Sequence, residues 1–272
     1  MDEGAGGAHR SAPAAGAGDE HARATWQKVL VHGNEQLKLA HRMFRHLPGP
    51  PRCKLCHNPF GGFGGRLVRV VGFKPSRKNP NLCARCCDSL PPGGLELDIA
   101  VLFADLRNST ALGEQMGPAP FAELLNGFYR VSTEALIAHD AIVDKLIGDE
   151  VMALFIPGIA GASYRAKAAT AAVDLVRSLT DTLSVPVGAA VNSGTAYVGN
   201  VGGEGVVDFT ALGDAVNTAA RLQALAEAGQ IVLADDVYSE VRDRFPTATS
   251  QTVSVRGREA PVQIHVLSVS AA

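Results

Sequence analysis

The chain has 272 residues, 46% of them hydrophobic, and a formal net charge of -2 at pH 7. This length allows one full domain and a smaller appendage, and the near-zero charge gives no basic surface for a nucleic acid or an anionic membrane. The longest apolar stretches fall well short of the roughly 20 residues that span a bilayer, and the N-terminus has no basic start followed by an apolar core. We therefore expect a cytoplasmic protein with no membrane span and no nucleic-acid partner.

The first part of the chain divides into a tail and a helix. Residues 1–18 are almost entirely Ala, Gly, Ser and Pro with scattered charge. This composition is too poor in large side chains to offset the entropy cost of ordering, so we expect a disordered tail. Residues 19–48 carry apolar side chains at spacings of three, four or seven, which predicts an amphipathic helix weakened or broken at Gly33. Such a helix packs on a neighbouring domain or, alternatively, forms a coiled coil or binds a regulatory partner.

All five cysteines lie within residues 53–87, which is not the distribution of a disulfide framework. Two CxxC pairs separated by 26 residues are typical of a four-thiolate zinc site, because each pair places two sulfurs on one side of a tight turn. The predicted ligands are Cys53, Cys56, Cys83 and Cys86, with Cys87 and His57 as alternatives. Between the pairs the sequence offers about one hairpin of core, and a unit of about 40 residues seldom folds without a metal or a disulfide. We therefore predict a zinc-ribbon-like segment with structural Zn2+, followed by a linker, over residues 49–92.

From residue 93 to 272 the pattern changes to alternating strands and helices. Strands are predicted at residues 95–103, 141–147, 151–155, 185–191, 196–201 and 206–210, and helices at 119–138, 160–183 and 214–226. Asp214 is the predicted N-cap of the last of these helices. A strand at 231–233, a short helix and a hairpin of residues 253–255 and 262–267 complete the chain. The order β-α-β-β-α-β predicts a ferredoxin-like α/β (α+β) core with C-terminal additions.

Two aspartates are placed where neighbouring strands end. Asp105 follows the apolar run 99–104, and Asp149 lies at the tip of the predicted hairpin. Neighbouring strands of one sheet would bring these carboxylates together, and two close carboxylates are best explained by a cation between them. A pair of Mg2+ or Mn2+ ions about 4 Å apart would activate an attacking oxygen and hold a triphosphate.

A polar pair lies on the predicted helix that begins at Asp214. Asn217 and Arg221 are four residues apart and therefore share a face of that helix. An amide that orients a ribose oxygen, beside a guanidinium that stabilises charge on a phosphorane, suits an in-line displacement at phosphorus.

The motifs FADLRNST, VDKLIGDEVMALF and DFTALGDAVNTAARL resemble those of the class III nucleotidyl cyclase catalytic domain, over residues 95–267. The resemblance implies that two aspartates bind the metals, that two residues read the purine, and that two residues orient the ribose and stabilise the transition state. In that order these are Asp105 and Asp149, Lys145 and Thr210, and Asn217 and Arg221. It also implies a head-to-tail homodimer in which each site combines metal ligands from one chain with purine and transition-state residues from the other. A monomer would then be inactive.

The two residues expected to read the base favour ATP. Adenine offers an acceptor at N1 and a donor at its 6-amino group, which suit a donating Lys145 and an accepting Thr210 hydroxyl. Guanine would present N1-H to the lysine, a mismatch of two donors. We therefore expect an adenylate cyclase that makes 3',5'-cyclic AMP and pyrophosphate, although a threonine hydroxyl can also donate and rejection of GTP need not be complete. The alternatives are a guanylate cyclase and a catalytically weak nucleotide-binding regulatory module.

The sequence departs from the family pattern in the loop after Asp105. Asn108 and Ser109 stand where the family commonly has a glycine and an aromatic residue, and backbone amides of that loop should cradle the phosphates. The basic residue expected near the triphosphate tail is Arg256, with Arg258 as the alternative. Family members with a threonine at the purine position resemble a branch that includes bicarbonate-responsive enzymes, so bicarbonate activation is a further hypothesis.

Overall fold

The computed structural model describes residues 17–76, 81–203, 206–256, 258 and 260–269. Of the predicted tail, residues 1–16 lie outside the described residues, whereas Ala17 and Gly18 belong to the first helix. No helix in this part of the chain combines the length and the apolar character that a membrane crossing requires.

The N-terminal part is helical and the rest alternates helices with strands. The N-terminal elements are α1 (Ala17–Gln27), a π-helical turn (Lys28–His32), α2 (Glu35–Phe44), α3 (Gly62–Val70) and α4 (Ala84–Ser89). The strands are β1 (Gly94–Leu106), β2 (Ile142–Ile147), β3 (Glu150–Phe155), β4 (Val187–Gly203), β5 (Val206–Leu212), β6 (Gln230–Ala234), β7 (Thr249–Val253) and β8 (Val262–Ser268). The helices among them are α5 (Ser109–Met116), α6 (Pro118–Ala138), α7 (Pro157–Ala160), α8 (Tyr164–Leu183), α9 (Asp214–Gln223) and α10 (Asp235–Ser239).

The eight described strands form one sheet in the order β2-β3-β1-β4-β6-β8-β7, with β5 paired to β4. Strand β1 lies inside the sheet, antiparallel to both β3 and β4, and β4 is parallel to β6. This mixed sheet with helices packed on it confirms the predicted α/β (α+β) class.

Strand β4 is continuous over 17 residues, where the sequence analysis predicted two separate strands. The polar residues between them, which resemble a turn, stay in the ladder, and Ser193 pairs with Ala100 of β1. Gly194 adopts a φ of 153°, which residues with a side chain rarely adopt. Because this residue is a glycine, the strand continues through this point without a break.

The two faces of the sheet are covered by different parts of the chain. Helices α6 and α8 pack on one face, around a core that includes Leu102, Phe128 and Leu175. The other face is covered by the N-terminal segment and α9. The buried side chains of that layer include Trp26, Leu30, Phe44, Cys53, Leu55, Leu82, Ile99, Val101, Val198, Phe209 and Ala219. The segment before residue 93 therefore shares a hydrophobic core with the sheet.

The predicted N-terminal helix is interrupted at Gly33, as the sequence indicated. Gly33 has a φ of 78° and separates the π-helical turn from α2. The turn approaches α7 so closely that a Cβ on Gly158 would collide with the carbonyl of Val29. The helix thus packs on the neighbouring domain, which was one of its predicted roles.

Three local predictions were wrong. The stretch between the CxxC pairs contains helix α3 rather than a hairpin. Asp214 is the first residue of α9 and not its cap, because the N-cap position is Gly213 and no side chain caps the helix. The last hairpin begins at Thr249–Val253 rather than at residues 253–255.

Truncating Trp26 should release the N-terminal helix from the sheet. The Trp26 side chain is 1% exposed and its ring stacks on Phe209 with 6.1 Å between centroids. We expect Trp26→Ala to lower the free energy of unfolding by about 3–5 kcal/mol, because it leaves a cavity in a shared core. Chemical denaturation measures this loss. Leu39→Ala is the matched control on α2: Leu39 is 55% exposed, and its truncation should cost less than about 0.5 kcal/mol. Equal effects of the two changes would contradict the shared core.

Candidate active site and cysteine cluster

The two predicted metal-binding aspartates lie at the same edge of the sheet. Asp105 is the penultimate residue of β1 and pairs in register with Glu150 of β3, directly after Asp149. The backbone N-H of Leu106 donates to the carbonyl of Asp149 over 3.1 Å. Gly148 has a φ of 60°, and its carbonyl accepts a hydrogen bond from the Tyr129 hydroxyl of α6, which fixes the tip of the β2-β3 hairpin.

The charges at this edge favour a bound cation. Burial raises the pKa of Asp105; the charge of Arg107 opposes this rise, and the charge of Asp149 adds to it. Burial likewise raises the pKa of Glu150, with added repulsion from both aspartates. Arg107 lies 2.8 Å from Asp105 Oδ1, but the angle does not give a hydrogen bond, so among the described residues this buried oxygen has none. Carboxylates that burial and mutual repulsion destabilise as anions are stabilised by a divalent cation, and these residues therefore fit Mg2+ or Mn2+.

Arg107 lies between the end of α9 and strand β4. Its guanidinium donates from Nη2 to the carbonyl of Gln223 over 2.9 Å. Gly188 pairs with Asp105, and a Cβ there would lie 2.5 Å from Arg107 Nε. The absence of a side chain at residue 188 therefore lets the guanidinium lie beside the aspartate.

The loop after Asp105 keeps a glycine-like backbone without a glycine. Asn108 has φ 59° and ψ 29°, in the left-handed region, and directly precedes α5. Asparagine tolerates this conformation better than most residues. The replacement of glycine at this position therefore does not prevent the turn that leads into the helix.

The structure brings the two residues predicted to read the purine into direct contact. Lys145 Nζ on β2 donates to Thr210 Oγ1 on β5 over 2.6 Å. The Thr210 hydroxyl in turn donates to Asp144 Oδ2 over 2.6 Å, and the Asp144 side chain is fully buried. Lys145 also lies 3.1 Å from Asp144 Oδ2 and 3.7 Å from Asp208 Oδ2.

Three further residues surround Lys145 and Thr210 and were not predicted from the sequence: Asp144, Asp208 and Lys54. Lys54 Nζ, which comes from the first CxxC pair, lies 2.9 Å from Asp144 Oδ1 and 2.9 Å from Asp208 Oδ1. Asp144 could have been noticed, because it occupies an inward position on a strand whose other inward residue is Ile142. Lys54 gave no such signal.

The two predicted catalytic residues both lie on α9. Asn217 is exposed and Arg221 is half-buried on α9. Within the described part of the chain, neither side chain has a hydrogen-bond or ion-pair partner, so both are available to a ligand. Arg256 is exposed in the turn after β7, whereas Arg258 lies 3.4 Å from Asp214 in an ion pair.

The four predicted zinc ligands converge. The sulfurs of Cys53, Cys56, Cys83 and Cys86 all lie within 4.8 Å of one another. The two alternative ligands, His57 and Cys87, do not belong to this group of sulfurs. The His57 ring lies against His41 at 3.9 Å and its Nε2 donates to the carbonyl of Ala141 over 3.0 Å, while Cys87 lies outside the cluster.

The surroundings of Cys83 favour its thiolate. Hydrogen bonds with Cys53, Cys56 and Cys86 lower the pKa of the Cys83 thiol. Its sulfur also accepts from the backbone N-H of Cys86 over 3.4 Å at the start of α4. Four converging thiols in such a setting are typical of a structural zinc site.

The comparisons with known proteins identify the family. Residues 96–268 match the family described as the Adenylate and Guanylate cyclase catalytic domain. The chain belongs to this family, as the sequence motifs predicted, and its catalytic domain is that of a nucleotide cyclase. Class III cyclases of this kind use Mg2+ or Mn2+.

The similar solved structures include both an adenylyl cyclase and a guanylyl cyclase. The adenylyl cyclase CyaB from P. aeruginosa is 26% identical, with a TM-score of 0.58 over 65% of this chain and 96% of that one. The guanylyl cyclase Cya2 is 25% identical, with a TM-score of 0.61 over 65% of this chain and 95% of that one. These neighbours do not distinguish ATP from GTP as the substrate.

The curated relatives are longer proteins. The uncharacterized protein Rv1318c of Mycobacterium tuberculosis is 32% identical over 213 residues, which cover 74% of this chain and 36% of that protein. The uncharacterized protein Mb1353c of Mycobacterium bovis is 29% identical over 214 residues, which cover 75% of this chain and 37% of that protein. The chain spans little more than a third of the length of these relatives.

The cysteine cluster makes a prediction about metal content. We expect the purified protein to carry one zinc per four-cysteine cluster, and Cys83→Ser to lose it together with stability, because structural zinc contributes folding free energy. Elemental analysis and thermal melts measure both effects. Cys87→Ser is the matched control, since it removes a neighbouring thiol outside the cluster, and it should retain the zinc. Zinc loss from both variants would contradict this ligand set.

Proposed function

We propose that this protein is an adenylate cyclase that converts ATP to 3',5'-cyclic AMP and pyrophosphate. The observation that carries the proposal is the contact between Lys145 and Thr210, together with the buried carboxylate of Asp144 behind them. The family defines the class of reaction, and these contacts support adenine as the base of the substrate.

The hydrogen bonds of Thr210 favour adenine. An ionised Asp144 only accepts, so the Thr210 hydroxyl donates its proton to Asp144, and the lysine ammonium only donates, so Thr210 accepts from Lys145. The Thr210 hydroxyl then keeps one lone pair, with which it would accept a hydrogen bond from a base bound beside it. The 6-amino group of adenine can donate to it, whereas O6 of guanine, itself an acceptor, cannot.

The reaction needs an in-line displacement at the α-phosphorus. The ribose 3'-oxygen attacks and loses its proton, a new P-O bond forms, and pyrophosphate leaves with the electrons of the broken P-O bond. Asp105 and Asp149 would hold the Mg2+ or Mn2+ ions, which supply charge stabilisation for the attacking oxygen and the triphosphate. Asn217 would orient the ribose, and Arg221 would stabilise the charge that develops on the phosphorane.

A head-to-tail homodimer fits the surface around these residues. Large hydrophobic side chains lie exposed beside them in the sequence: Leu146 is 40% exposed, Ile147 58%, Leu212 50% and Leu225 47%. Exposed apolar side chains next to functional groups favour an interface. In such a dimer, Asn217 and Arg221 of one chain would act on a nucleotide held at the metal-binding edge of the other.

The first test is product analysis with ATP and GTP in Mg2+ and then Mn2+. We expect cyclic AMP as the main product and a loss of at least about a hundredfold in Asp105→Ala, because the metals lose a ligand. Cyclic GTP as the main product would reassign the base. Nucleotide binding without any cyclic product under either metal would favour a regulatory module.

The dimer has its own test. Asp105→Ala and Arg221→Ala chains, each inactive alone, should recover about a quarter of the wild-type activity when refolded together, because half of the dimers are mixed and each mixed dimer has one intact site. The matched control mixes Asp105→Ala with Asp149→Ala. Both of these lesions lie in the metal-binding half, so no site becomes intact. Recovery in the control as well, or in neither mixture, would exclude the head-to-tail arrangement.

A further inference from the structure

A lysine from the cysteine cluster enters the base-reading cluster, by which we mean Asp144, Lys145, Asp208 and Thr210. Lys54 lies between Cys53 and Cys56, and its side chain is 8% exposed. Its ammonium lies 2.9 Å from Asp144 Oδ1, 2.9 Å from Asp208 Oδ1 and 3.2 Å from the carbonyl oxygen of Phe209. All three donor positions of the ammonium are therefore occupied by groups that surround Thr210.

Lys54 and Lys145 lie beside different oxygen atoms of the same two carboxylates. Lys54 contacts the Oδ1 atom of both aspartates, and Lys145 lies 3.1 Å from Oδ2 of Asp144 and 3.7 Å from Oδ2 of Asp208. Two ammonium groups and two carboxylates balance in charge. Without Lys54, Lys145 would be the sole ammonium for both carboxylates, and their combined attraction would hold it away from the purine.

We propose that Lys54 is a positioning residue for nucleotide binding, through which the cysteine cluster controls the affinity for the base. It supplies one of the two positive charges that balance the carboxylates of Asp144 and Asp208. Lys145 is then free to donate to the purine, and Thr210 stays oriented as an acceptor. The inference deepens the proposed function and rests on the roles given there to Lys145 and Thr210.

The cysteine ligands set the position of Lys54. Cys53 and Cys56, the two ends of the short Cys53-Lys54-Leu55-Cys56 turn, both belong to the cluster. The backbone N-H of Lys54 also donates to the carbonyl of Asn81, two residues before Cys83, over 2.9 Å. Zinc held by the four thiolates would fix both ends of this turn. Loss of the metal would free the turn and withdraw the ammonium from the two aspartates.

The test measures affinity separately from turnover. We would titrate the full chain with 3'-deoxy-ATP, which lacks the attacking hydroxyl, and measure kcat, KM and zinc content beside it. Lys54→Met should raise the Kd for 3'-deoxy-ATP and the KM for ATP by about tenfold, a typical size for a coupled charge cluster, while zinc content stays at the wild-type value. Lys54→Arg should recover most of the affinity. Lys74→Met, at an exposed lysine of the same segment, is the matched control and should change nothing.

A second variant separates positioning from folding. Lys54→Met leaves a buried carboxylate with one cation fewer, which can itself destabilise the fold. Lys54→Met combined with Asp208→Asn restores the charge balance, so affinity should return towards the wild-type value although the lysine is absent. A merely structural lysine would not be rescued in this way, and failure of the double variant to regain affinity would overturn the proposal.

The link to the metal is tested in the same titration. A zinc-selective chelator in excess Mg2+ should raise the Kd of the wild type about as much as Lys54→Met does, and should add little in that variant. Equal effects of the chelator in both proteins would show that the metal acts by another route and would overturn the link. If the wild type forms cyclic AMP and Lys54→Met binds 3'-deoxy-ATP normally, only this inference fails. If the wild type binds no nucleotide, the proposed function fails with it.

Discussion

The contact of Lys54 with Asp144 and Asp208 joins parts of the chain that are far apart in sequence. It connects the first CxxC pair with β2 and β5, the two strands that carry Lys145 and Thr210. A buried ion pair is weak evidence for stability, because apolar side chains of similar volume often serve as well or better. Lys54 and Asp144 nevertheless lie buried beside a mostly hydrophobic layer, which indicates that the positions of these charges matter. The hydrogen bond from Thr210 to Asp144 gives the reason, since the donor direction at Thr210 depends on this carboxylate.

Much of the catalytic sheet could be predicted because its signals are local. Strands β2 and β3 follow from the apolar residues on either side of Gly148 and Asp149, and the family motifs already pair Lys145 with Thr210, which the structure brings into contact. The partners of these residues could not be predicted in the same way. Lys54 has the sequence context of an ordinary solvated lysine in a short turn, and only the docking of the cysteine segment on the sheet brings it to Asp144.

Helix α3 shows how tertiary contacts override local preference. The run FGGFGGRLVRVVGF is rich in glycine and β-branched residues, which favour strands and turns over helices. In the folded chain Gly64 and Gly65 are buried against Pro48 and Phe60, and a Cβ at either position would collide with the backbone of those residues. The glycines therefore permit a close packing that the sequence pattern does not reveal. The reverse case is Asn108, which stands where the family commonly has a glycine and itself adopts a left-handed backbone.

Strand β5 is where the N-terminal segment and the base-reading cluster meet. The Phe209 ring stacks on Trp26, its carbonyl oxygen accepts from Lys54, and the next residue is Thr210. The edge that carries Asp105 and Asp149 is held differently, by the Tyr129 hydroxyl of α6 and by the ladder between β1 and β3. If Lys145 and Thr210 read the base as proposed, a shift of the N-terminal segment would act first on the purine end of the nucleotide, through a contiguous path of packed and hydrogen-bonded groups. An input received by this segment would change substrate affinity before it changed the geometry of the metal site.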